Sequence, residues 1–107
     1  MLWVIHCLDG PDTAELRAAT RPAHSARLRT ADLRPVLYGP LVPDDGDGAI
    51  GSLLVVEAPT RQAVADFVAH DPFTVAGVWD RVSIHAFTAS ERSPVRLPPA
   101  PVEGSRP

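Results

Sequence analysis

The chain has 107 residues, 45% of them hydrophobic, and a formal net charge of -3 from 10 basic and 13 acidic side chains. That length fits one domain around a single core. Its interspersed charges form no basic stripe for phosphate backbones, which excludes nucleic acid as a partner, and no apolar run is long enough to span a bilayer.

Residues 2–8 (Leu-Trp-Val-Ile-His-Cys-Leu) are dense in β-branched and aromatic types and stop at Asp9-Gly10-Pro11, which predicts a first, central strand. Residues 11–19 read as a helical lead-in capped by Asp12 or Thr13, with Leu16 and Ala19 inward and Glu15 and Arg17 outward. The residue before a proline avoids the α region, so Arg21 is expected to break this segment. A second helix is then expected over residues 22 to about 32, capped by Thr20 with Pro22 at its first position. Steps of three and four from Arg21 reach His24, Arg27, Leu28 and Ala31, which places them on one face.

Residues 35–42 predict a second strand whose prolines demand an edge position or a bulge at Gly39-Pro40. Residues 43–48 are a loop by composition, and the apolar run at 50–58 predicts a third strand forming a hairpin with the second. Thr60 caps a helix carrying Ala63, Val64, Phe67 and Val68, which reaches His70 and is stopped by Asp71-Pro72. A short helical turn follows over 73–77. The last strand, 78–87, puts Val82, Ile84 and Ala86 on one face and Arg81, Ser83 and His85 on the other. The folded domain is thus expected over residues 1–87, followed by a proline-rich tail, 88–107, that is disordered or loosely docked. The order strand, helix, strand, strand, helix, strand is the ferredoxin-like βαββαβ arrangement, an α+β fold with an antiparallel sheet and helices on one face. The other face is expected to be covered by the same face of a second subunit. The lone Cys7 cannot form an internal disulfide, and the amino terminus lacks a signal-peptide pattern, so the setting is expected to be reducing and cytoplasmic.

Four short motifs, in this order, resemble the YciI-like (YCII-related) proteins. They are a first strand ending at Asp9 with an Arg21-Pro22-x-His24 helix; Tyr38-Gly39-Pro40; Gly51-Ser52; and Asp71-Pro72-Phe73-x-x-Ala76-Gly77-Val78 before a strand ending in Phe87. The resemblance implies a dimeric α/β barrel of ferredoxin-like subunits and a pocket holding a His–Asp pair, here His24 and Asp71. Members of that family include a dehydrochlorinase acting on a chlorinated hydroxyhydroquinone. Arg21, Tyr38, Gly39, Ser52 and Phe73 are the residues expected to bind substrate, with no metal and no cofactor.

An imidazole near neutral pH can accept or donate a proton, and a carboxylate on its other nitrogen fixes the tautomer, so such a pair is a general acid/base without a nucleophile. The plain alternative is that His24 bonds a buried carbonyl while Asp71 caps the helical turn at Pro72. His6 and His85 are further candidates for the pocket side, and His70 is a possible substitute for His24. None has a recognised metal-ligand spacing. Arg21 and Arg27 can hold an anionic substrate or belong to a solvated face. Tyr38, Phe73 and Trp79 can line an aromatic-accepting pocket or serve as core and dimer contacts. Cys7, in an apolar strand, is expected to be inert. Three readings follow: a small lyase- or isomerase-like enzyme eliminating from a cyclic or aromatic compound, a non-catalytic metabolite-binding or accessory dimer, and a cofactor-free oxygenase.

Overall fold

A computed structural model describes residues 1–97. Strand β1 (Leu2–Asp9) lies between β3 (Gly51–Glu57) and β4 (Trp79–Phe87), and β2 (Arg34–Leu41) pairs with β3 at the edge. Every pairing is antiparallel, in the order β2-β3-β1-β4 expected of a ferredoxin-like α+β domain. Side chains alternate across each strand, so Ile5 and Cys7 of β1 share a face with Leu54 and Val56 of β3. On that face lie α1 (Ala14–Arg29), α2 (Arg61–Ala69) and α3 (Pro72–Val75). They bring Leu28, Val64, Phe67, Val68 and Phe73 into the same core. Each large apolar side chain buried there contributes roughly 1.5–3 kcal/mol.

Three local features differ from the sequence reading. First, α1 is one helix that runs through Pro22, so Arg21 is no break and Thr20 no cap. A proline inside a helix forfeits a hydrogen bond and costs about 3 kcal/mol in isolation. Here the buried positions His24 and Leu28 anchor the turns after it, and packing of one face outweighs the local preference. Second, continuity fixes the helix phase: Arg17, seven residues before His24, turns inward, whereas Leu16 and Ala19 are exposed. Third, the β2 irregularity lies between Pro35 and Leu37, while Gly39 and Pro40 keep regular register with Leu53 and Ser52. The extra residue, Val36, accommodates the missing donor of Pro35, and an edge strand tolerates Pro40 where no ladder donor is needed.

The turns around α2 and α3 follow the sequence. Thr60 Oγ1 accepts the Ala63 N–H at 3.1 Å, and Asp71 Oδ1 accepts the Phe73 N–H at 2.9 Å, capping a helix with Pro72 at its start. Gly51 is required by close approach: a Cβ there would collide with the Cys7 carbonyl oxygen across the β1–β3 ladder.

The opposite sheet face carries no helix in the described residues. Leu2, Val4, Leu8, Leu37, Leu53 and Phe87 lie on it by register, together with His6 and His85. Leu37 is 58% exposed and Phe87 43%. Residues 88–97 form turns and bends, and the remainder of the expected tail, 98–107, lies outside the described residues. No described helix is long and apolar enough to cross a membrane.

Candidate functional site

A cleft of about 640 Å³ opens between α1, the β2–β3 end of the sheet and α3. Helix α1 lines it with Arg17, Arg21, His24 and Leu28, a run at intervals of four, three and four that is one stripe of a continuous helix. Tyr38 and Gly39 of β2, Ser52 of β3 and Phe73 of α3 complete the opposing walls.

His24 is 8% exposed, and its Nδ1 lies 2.9 Å from both carboxylate oxygens of Asp71, which is fully buried. Asp71 therefore performs both roles left open by the sequence, capping α3 and holding the histidine. An ionised carboxylate only accepts, so Nδ1 carries the donated proton, and in the neutral imidazole Nε2 keeps the free lone pair. Arg27 Nη1 stands 3.5 Å from Asp71 Oδ2 and adds a cation beside the buried anion. The imidazole stacks on Phe73 at a centroid distance of 4.3 Å and meets Trp79 edge-on at 5.7 Å. Its ring plane is thus set by two aromatic neighbours as well as by the carboxylate.

A second polar cluster flanks the first. Arg17 Nη1 donates to Asp9 Oδ1 and Oδ2 at 2.8 and 2.9 Å, and Arg17 Nη2 donates to Ser52 Oγ at 2.8 Å. The Trp79 indole N–H donates to the same Ser52 oxygen at 3.3 Å. The Arg17 guanidinium also sits 4.6 Å from the Phe73 ring centroid, so Phe73 contacts both clusters. Sequence reading placed Arg17 outward and missed this. The available signal was its spacing of seven from His24, which the expected break at Arg21 had disconnected.

The remaining candidates fall elsewhere. Arg27 leaves the cleft for Asp71 and the Phe67 ring, 4.2 Å from its guanidinium carbon. His6 and His85 point to the bare sheet face, because they alternate with the core-facing residues of their strands. His70 is exposed, its Nδ1 bonded to the Asp66 carbonyl at 2.8 Å. Burial pushes the Cys7 thiol from 9.0 up to about 12, with the Asp71 and Asp9 charges adding to the effect and Arg17 opposing it. Cys7 is accordingly a neutral thiol in the core. Among the described residues no group of three or more His, Cys, Asp or Glu side chains converges as a metal site.

The chain is thus an α+β protein with a ferredoxin-like sheet, in which a helix-borne histidine held by a buried aspartate lines a cleft. The chain belongs to the YCII-related domain family, whose model matches residues 1–88. Protein YciI of Escherichia coli O6:H1 is 34% identical over 94 residues, spanning 81% of this chain and 96% of its own. An uncharacterised protein of Haemophilus influenzae is 35% identical over the same length. Among solved structures, 5-chloro-2-hydroxyhydroquinone dehydrochlorinase (TftG) from Burkholderia phenoliruptrix, in complex with 2,5-dihydroxybenzoquinone, superposes with a TM-score of 0.78. It is 28% identical, and the match covers 85% of this chain and 97% of that one. An antibiotic biosynthesis monooxygenase, 18% identical with a TM-score of 0.53, shares the fold.

Proposed function

We propose that this protein is a cofactor-independent enzyme that eliminates HX from a small cyclic or aromatic compound by general acid/base catalysis at His24. The observation that carries this reading is the Nδ1 contact to Asp71 at 2.9 Å, which leaves Nε2 as the basic nitrogen on a cleft-lining residue. In the proposed step Nε2 takes a proton from the substrate, the electron pair left behind forms a new double bond, and the leaving group departs with its bonding pair. The imidazolium then returns its proton to solvent, so the net loss is HX. Asp71 orients the ring and balances the transient positive charge. Tyr38 offers a flat surface to a ring substrate, with Gly39 beside it in the wall and Arg21 at the open side, while the buried Phe73 ring backs the His24 imidazole. The likeness to a dehydrochlorinase supports elimination over other proton transfers.

The same proposal includes self-association. The apolar stripe on the helix-free sheet face, with Leu37 and Phe87 exposed, fits burial against the same face of a second copy, and the free thiol of Cys7 suits a reducing cytoplasm. Light scattering would then give twice the 11.4 kDa chain mass, whereas a stable monomer would remove this part of the reading. For the chemistry, the test is chloride release from 5-chloro-2-hydroxyhydroquinone by the wild type and by His24→Ala. Turnover that falls about 10²–10⁴-fold in the variant supports the reading. Equal turnover by both proteins would refute it.

A further inference from the structure

Among the described residues, the cleft is lined by Arg17 and Arg21 and by no aspartate or glutamate, since Asp71 is sealed behind His24. Arg17 is neutralised by its two contacts to Asp9, whereas Arg21 makes no ion pair among the described residues. Beside them, Ser52 is 3% exposed and accepts two hydrogen bonds, from Arg17 Nη2 and from the Trp79 indole. A hydroxyl has two lone pairs and one proton. Both lone pairs being engaged, Ser52 has only its O–H left to offer, and among the described residues it donates to no acceptor. A buried donor without an acceptor costs free energy unless something else supplies one. The guanidinium and indole donors also polarise that hydroxyl and make it a stronger donor.

We propose that Ser52 Oγ–H and Arg21 together form an oxyanion site, and that the ligand of this cleft is a ring compound bearing an acidic hydroxyl bound in its ionised form. Ser52 gives a short, directional bond to the charged oxygen, and Arg21 supplies the net positive charge at the mouth. Trp79 ties the site to the base, because its indole bonds Ser52 and its ring edge meets His24. An oxyanion seated on Ser52 therefore presents the adjoining ring to the imidazole. This deepens the elimination reading and rests on it for the role of the bound anion, but the preference for an ionised hydroxyl is measurable by binding alone.

The probe is 2,5-dihydroxybenzoquinone, whose hydroxyls are acidic, compared with its dimethoxy ether, which cannot ionise. Affinities are read by calorimetry at neutral pH, with no turnover required. The wild type is expected to bind the dihydroxy compound at least about tenfold more tightly than the ether. Ser52→Ala is expected to remove most of that preference, a loss of about tenfold to a hundredfold in affinity for the anion with little change for the ether. Arg21→Gln, at an exposed position that leaves the fold intact, is expected to weaken the anion about twofold to fivefold and to flatten the salt dependence of its binding. Equal affinity of the wild type for the two compounds, or a preference that survives in both variants, would overturn the proposal. If Ser52→Ala does not fold, Arg21→Gln decides through the salt dependence. A wild type that shows the preference but releases no chloride would retain the oxyanion site and reject the elimination reading.

Discussion

On the helix-covered face of the sheet His24 is buried, stacked on an aromatic ring and fastened through one nitrogen to a carboxylate. On the bare face His6 and His85 lie exposed in the single chain, on strands of the same sheet. The side chain is the same, and the surroundings differ in three respects: a fixed tautomer, a fixed ring plane, and a cleft large enough for a small molecule. An imidazole becomes a directed base only when its second nitrogen is committed elsewhere. The neighbours Cys7 and His6 make the same contrast one residue apart, since strand alternation sends the first into the core and the second to the helix-free face.

The contrast is broken most severely at Asp71. Asp71→Ala strands the Phe73 N–H, the His24 Nδ1–H and the Arg27 guanidinium in the interior, so it is expected to cost about 3–5 kcal/mol in denaturant unfolding. Removing the Asp80 carboxylate, which is exposed, is expected to change stability by less than about 0.5 kcal/mol. Next in size is the difference between histidines. His24→Ala is expected to lower kcat/KM about 10²–10⁴-fold, and His85→Ala to leave it within about twofold, both measured per folded chain by chloride release. A comparable loss at His85 would erase the distinction between the faces.

The smallest effect sharpens the Cys7–His6 contrast. Burial holds the Cys7 pKa near 12, above its ordinary 9.0, so the folded protein is expected to resist iodoacetamide at pH 8 and the denatured chain to react. The sign for stability follows from the same displacement. The unfolded chain releases this proton at a lower pH than the folded one, so the contribution is complete below pH 9.0 and is lost as pH rises toward about 12. Rapid alkylation of the native state would place Cys7 at the surface.

The strands and the element order were legible because alternation and turn residues act locally: Asp9-Gly10-Pro11 stops β1, and Thr60 starts α2. Pro22 was read by its local preference, yet the packing of His24 and Leu28 carries α1 through it. That one difference hid Arg17, whose inward direction depends on helix phase across the proline. The prolines of β2 imply an edge position or a bulge at Gly39-Pro40; the edge position holds, while the bulge lies beside Pro35, because register with β3 is set by the whole ladder. Asp71 and His24 are 47 residues apart, and nothing near either one announces the other. An Asp before Pro is already explained as a cap, so the residue pattern alone left the pair open, and the family resemblance is what linked them. Ser52 was legible as a strand residue, but its two donors come from α1 and β4 and appear only in the fold.

The central claim is that Asp71 fixes His24 with its proton on Nδ1 and its lone pair on Nε2. Long-range proton–nitrogen correlation NMR on the histidine-labelled protein tests it directly. The account predicts that neutral His24 is locked in the Nδ1–H form. A His24 that carries its neutral proton on Nε2 would contradict the account, because the nitrogen required as the base would already be protonated.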